Sequence, residues 1–210
     1  NSRYSSGERS SNASVDNTTY CGCGSGSHGT LNLNTIDGGA DHEAWPLLDA
    51  AEQLVIGHDG EGVLIVSDNH ENAFVRARSR EIIIGANSGS KGTVTIDGDR
   101  ASLTTLSESS GWPTSTEPPS RTIEVGRDGE GIVSLRNGGR VEVSPAIVGA
   151  HGLIENRNLG GDTGGFVNTL GLTINGGEVR SEVVNSDGLA SAPPGTVFAR
   201  EIIINNGGLL

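Results

Sequence analysis

IEVGRDGEGIVSLRNGG, Ile123–Gly139, joins two aliphatic runs through a polar turn closed by glycines, and a second turn, Asn137-Gly138-Gly139, follows. LVIGHDGEGVLIVSDN, Leu54–Asn69, has the same plan, and so does IIIGANSGSKGTVTIDGD, from Ile82. LGLTINGGEVRSEVV from Leu170, REIIINNGG from Arg200 and GTLNLNTIDGG from Gly29 are partial copies. Within Gly62–Ser67 and Gly92–Asp97 apolar side chains recur at every second position, the period of a strand with one face inward. Repetition of a strand–turn–strand unit predicts stacked layers, each too thin to bury its own apolar face. The predicted fold is all-β, a right-handed β-solenoid over 29–210. A β-sandwich is the alternative, since it also accommodates strands separated by regular turns.

Composition supports thin β layers over a thick core. Glycine fills 33 of 210 positions, aromatics are 3%, and methionine is absent, so the apolar supply is mostly Ile, Val and Leu. Residues 1–28, rich in Ser, Asn and Gly, read as a flexible low-complexity arm that cannot offset its own ordering entropy. Asn12 and Asn17 head formal glycosylation sequons there. Residues 107–120, SESSGWPTSTEPPS, read as an excursion loop leaving the stack at a corner. DHEAWPLLDAAEQL, Asp41–Leu54, is the best helical segment, and a short helix is expected to start near Pro46.

The net charge of -12, with Lys91 the single lysine, repels phosphate polyanions and anionic lipid. Nucleic acid is therefore excluded as a partner, and no apolar run reaches the roughly 20 residues that a membrane-crossing helix needs. The chain starts at Asn1 without methionine, as a processed secreted chain or an excised fragment would.

Site chemistry is sparse. Asp59-Gly60 and Asp128-Gly129 are expected to supply turns with positive φ. Asp59, Glu61, Asp128 and Glu130 are candidate calcium ligands, because carboxylates and turn carbonyls suit Ca2+. Lys91 falls between Glu61 and Glu130 if the repeats stack, giving a charge ladder along one edge. Cys21 and Cys23 are read as a disulfide, within the pair or between subunits. With His28 they offer only three soft metal ligands, one short of a structural zinc site. Gly24–Gly29 matches G-x-G-x-x-G without the strand before and helix after that the motif requires. No G-x-S-x-G elbow occurs. Asp37, Asp41, His42 and Glu43, beside Trp45, are the best acid cluster for a carbohydrate-active alternative, with Trp45 and Trp112 as sugar platforms.

The aliphatic triplet, Gly, polar turn, aliphatic strand and Asn-Gly-Gly of Leu54–Asn69, Ile82–Gly98, Ile123–Gly139 and Leu172–Gly177 resemble the passenger repeats of bacterial autotransporters and related β-helical surface proteins. The resemblance covers 29–210 in texture and implies a secreted, extracellular or cell-surface rod or adhesin with no enzymatic activity. REIIINNGGLL carries no polar or proline-rich cap. Ile202, Ile203, Ile204, Leu209 and Leu210 are therefore the expected assembly interface, joining copies head to tail into a filament. The expected partner is the chain itself, together with glycans or a host surface, and no cofactor beyond Ca2+ is expected.

Overall fold

The computed structural model describes residues 12–15, 18–34, 47–68, 74–105, 122–143, 145–158, 165–183 and 196–210. Among these, the chain forms strands and turns and no helix. In chain order the strands begin with β1 (Asn12–Val15), β2 (Thr19–Cys21), β3 (His28–Asn34), β4 (Leu47–Ile56), β5 (Glu61–Ser67) and β6 (Val75–Ile84). They continue with β7 (Lys91–Asp97), β8 (Ala101–Thr105), β9 (Ile123–Val125), β10 (Glu130–Arg136) and β11 (Arg140–Val143). The last are β12 (Ala146–Val148), β13 (Gly152–Asn158), β14 (Phe166–Asn175), β15 (Glu178–Val183) and β16 (Thr196–Asn205).

These strands make two sheets, and every pairing between them is parallel. The six-stranded sheet runs β15-β13-β10-β7-β5-β3, so sequence order is spatial order. The other sheet has ten strands: β4, β6 and β14 each span its full width, while β8 with β9, and β11 with β12, divide it between two shorter strands. The chain crosses from one sheet to the other in each repeat and returns one strand further on. A sandwich built from hairpins needs antiparallel neighbours. The described residues contain none, which overturns that alternative.

Alternation puts one residue in two into the core, and register stacks those residues into columns. Leu54, Ile82, Ile123, Ala146 and Leu172 form one column, and Ile56, Ile84, Val125, Val148 and Ile174 another; all are buried. Leu64, Val94, Val133, Ile154 and Val179 line the opposite sheet. Each such side chain contributes about 1.5–3 kcal/mol of burial, and identical spacing fixes the register, because a one-residue slip turns a whole set outward.

The corner between the sheets explains the glycines. Gly57, Gly85 and Gly126 have φ of 73°, 71° and 70°, a left-handed turn that re-aims the chain. Each donates its N–H to the previous layer: Gly57 to the Cys21 carbonyl at 2.8 Å, Gly85 to Ile56 at 2.8 Å and Gly126 to Ile84 at 2.7 Å. Gly92 follows the turn so closely that a Cβ there would lie 2.2 Å from the Ile56 carbonyl oxygen.

The expected helix does not form. Leu47–Leu54, the greater part of the anticipated helix, lies in strand β4, while 41–46 fall outside the described residues. Neighbouring strands supply partners for its backbone, and Leu48, Ala50 and Leu54 extend the core columns, so tertiary pairing overrides local helix preference. Within 1–28, residues 12–15 and 18–28 are the described ones, and they contain strands. Asn12–Val15 and Thr19–Cys21 pair with β4, and His28 opens β3, whose partner is β5. These two polar stretches, too short to make a core of their own, take their backbone partners from β4. The loop at 107–120 lies outside the described residues.

Candidate functional site

Each corner brings the residues that open β3, β5, β7 and β10 into one outward line. Backbone register sets His28 against Glu61, Glu61 against Lys91, and Lys91 against Glu130. His28 Nδ1 lies 2.8 Å from Glu61 Oε2, and Lys91 Nζ donates to Glu130 Oε1 at 2.9 Å. The expected ladder is therefore present, with Lys91 between both glutamates and its ammonium on Glu130. These groups are exposed, and such pairs contribute about 0–1 kcal/mol each.

A second line lies one step back along the turn. His58 Nδ1 is 2.7 Å from Asp59 Oδ2, and Asn87 Nδ2 donates to Asp59 Oδ1 at 2.7 Å. The amide of Asn87, then the imidazole of His58, holds the Asp59 carboxyl below its ordinary range. The Tyr20 ring packs edge-on against the His58 ring, 5.1 Å between centroids. Of the four candidate calcium ligands, Asp59, Glu61 and Glu130 thus each have a partner of their own, and Asp128 is exposed at its turn. Among the described residues no group of three or more His, Cys, Asp or Glu is gathered as a metal site.

Cys21 and Cys23 are both free thiols. Two residues apart in an extended strand would share a face, but Gly22, with φ of 73°, turns the chain between them. Cys21 therefore faces the core, its Sγ 3.5 Å from the Val63 carbonyl oxygen, while Cys23 is exposed. Burial pushes the Cys21 thiol pKa up, which keeps it protonated and unreactive. The disulfide expected within the pair is not formed, and His28, the third soft ligand, belongs to Glu61. The acid cluster Asp37, Asp41, His42 and Glu43, with Trp45, and the second platform Trp112 lie outside the described residues.

β16 holds Ile202, Ile203 and Ile204 of the residues expected to form an assembly interface. Ile202 pairs with Leu172 and Ile204 with Ile174, continuing both core columns. Leu172 and Ile174 are 1% and 0% exposed, whereas Ile202 and Ile204 are 42% and 48% exposed. Ile203, Leu209 and Leu210 are also exposed, although Leu209 is tied down by backbone bonds of 3.0 Å to Val179 and Gly177.

One cluster escapes the sequence reading. Register lays Phe74 beside Arg100, and Arg76, Ser102 and Arg140 in one row, on the outer face of the larger sheet. The alternation of Phe74-Val75-Arg76 signals the first strand of this patch, but Ser102 and Arg140 join it only once the pairing is known. No protein-family model, curated protein or solved structure matches the chain.

Proposed function

We propose that the chain is a right-handed β-solenoid that serves as a structural element of a secreted filament or surface adhesin rod, extended head to tail by a second copy laid against β16, with no catalytic role. The parallel crossovers support a right-handed path, the hand that such connections take in about 98% of cases. The observation that carries the reading is the pair of aliphatic columns that reach β16 with Ile202 and Ile204 half-exposed. A further parallel strand in the same register would cover both and satisfy the free edge. A head-to-tail contact of this kind does not close, and its product is a fibre. The acidic composition and the resemblance to passenger repeats agree with an extracellular setting.

Electron microscopy and sedimentation of the purified chain test this. Filaments or concentration-dependent oligomers are expected, with Ile202→Asp and Ile204→Asp dispersing them while the far-UV spectrum is kept. Monomers at every salt, calcium and protein concentration would sink the proposal.

A further inference from the structure

Among the described residues, β16 is one edge of the larger sheet, β1 and β2 are the opposite edge, and β3 is the matching edge of the smaller sheet. Pairing carries the core columns to both edges. Thr19 lies against Leu54 and Cys21 against Ile56, so these two residues open the columns that Ile202 and Ile204 close. Leu31 lies against Leu64 and opens the column of the smaller sheet. Leu210, one residue beyond the Glu178–Leu209 bridge, closes that column beside Val179.

Exposed apolar surface follows the same two edges. Among the described residues seven large apolar side chains are exposed, and six of them belong to the end layers: Tyr20, Ile202, Ile203, Ile204, Leu209 and Leu210. Tyr20 and Ile203 each stand on the outer face, between the two columns of the larger sheet. The Thr19 hydroxyl oxygen is buried with no hydrogen-bond partner among the described residues, so it belongs to the core although its strand is at an edge. Spacing agrees as well. The first layer follows β4, which is one residue longer than β6 where the two meet through a register shift. β16 repeats the Arg80–Ile84 sequence of β6 and has its spacing. Laying β16 against the first layer therefore repeats a fit that β6 and β4 already make.

Resting on the head-to-tail reading, we propose that the surface of the second copy that covers β16 is its first layer, made of β1, β2 and β3. Thr19, Cys21 and Leu31 of that copy sit on Ile202, Ile204 and Leu210, and its Tyr20 sits on Ile203. The three columns then run unbroken from copy to copy, and both free edges are paired. β1 with β2, β4, β6, β8 with β9, β11 with β12, β14 and β16 make seven layers in one copy. At about 4.8 Å per layer the fibre repeats every copy, about 34 Å.

Two variants of the whole chain, each blocked at one edge, test it. Ile204→Asp disables β16 and keeps the first layer, while Thr19→Asp disables the first layer and keeps β16. Circular dichroism checks that both fold. A charge buried at the junction should weaken association at least about tenfold, so each variant alone should sediment as a monomer. Their equimolar mixture should form a one-to-one dimer that grows no further. Cross-linking reads the register without a buried charge. In a Cys23→Ser background, Tyr20→Cys chains mixed with Ile203→Cys chains should form a disulfide-linked heterodimer under oxidised glutathione, and neither chain should do so alone. Filaments formed by Thr19→Asp alone, or parent filaments without this cross-link or with a repeat longer than about 34 Å by a layer or more, overturn the first layer as partner and leave the head-to-tail reading standing. Thr19→Asp dimers that stop at two overturn both, since β16 would then meet β16. Parent chains that stay monomeric also overturn both.

Discussion

REIII occurs twice, at Arg80–Ile84 in β6 and at Arg200–Ile204 in β16. The same five residues form the same kind of strand, yet their surroundings differ. Ile82 and Ile84 are fully buried between two neighbouring layers, whereas Ile202 and Ile204 have a layer on one side only. Glu81 accepts from Gln53 Nε2 at 2.5 Å and from Arg127 Nη2 at 3.1 Å, while Glu201 is exposed. Local sequence chooses the strand and its inward face. Position in the stack decides how much free energy that face yields.

The largest test of this contrast removes the same methyl groups at both places. Ile84→Ala should cost about 4 kcal/mol, transfer energy plus an unfilled cavity. Ile204→Ala should cost less than about 1 kcal/mol, because half of the side chain is already in water. Denaturant midpoints at low protein concentration measure both. Equal losses would mean that β16 is covered in solution, which breaks the contrast and strengthens the head-to-tail proposal.

The corners offer a second version. Gly92→Ala drives a Cβ to 2.2 Å from the Ile56 carbonyl oxygen and 2.6 Å from the Gly85 nitrogen, between layers that cannot part. A cost of about 3 kcal/mol is expected. Gly207, at the outer corner, has φ of 78° but open space where the Cβ would go. Gly207→Ala should therefore cost only the backbone strain, about 1 kcal/mol. Thermal melts of the two variants would separate steric clash from strain.

The glycine pattern is legible in the sequence for the same reason that it matters here. A turn that must be left-handed and a strand start that must admit a carbonyl both exclude side chains, so Gly57, Gly85 and Gly126 mark corners without any knowledge of contacts. The alternation that sends Leu64 and Val66 inward is equally local, and with it the strands of Leu54–Asn69 and Ile123–Gly139. What escapes is set by neighbours remote in sequence. Leu47–Leu54 has helix-compatible residues and becomes a strand because β6, β1 and β2 pair with it. Ser102 carries no signal until β6 and β11 place arginines beside it. Lys91 can be set between Glu61 and Glu130 because the turns align by their glycines. Cys21 and Cys23 invite a disulfide only while the effect of Gly22 on side-chain direction is left out.

The corner ladder should yield a small effect. Glu130→Gln removes the partner of Lys91 on an exposed edge, and a loss of at most about 0.5 kcal/mol is expected, vanishing near 1 M salt. A loss that persists in salt would show that the pair is shielded by its layers.

The smallest effect separates two stacked side-chain pairs. In the middle corner Asn87 donates to Asp59, and in the outer corner Asn206 donates to Asn175. Only the first pair titrates. The Asp59 carboxyl is lowered from its ordinary value of 3.8 in the folded chain, by Asn87 first and His58 second. The unfolded chain therefore takes up this proton more readily. Stability from the pair is full above the unfolded pKa and is lost as pH falls through the lower, folded one. The advantage of the parent chain over Asp59→Asn should thus be constant at neutral pH and shrink below about pH 4. Asn175→Ala should shift the melt by the same amount at every pH. Melting curves across the acid range would refute this assignment if the two offsets ran parallel, because the acid sensitivity would then lie outside the Asp59 turn.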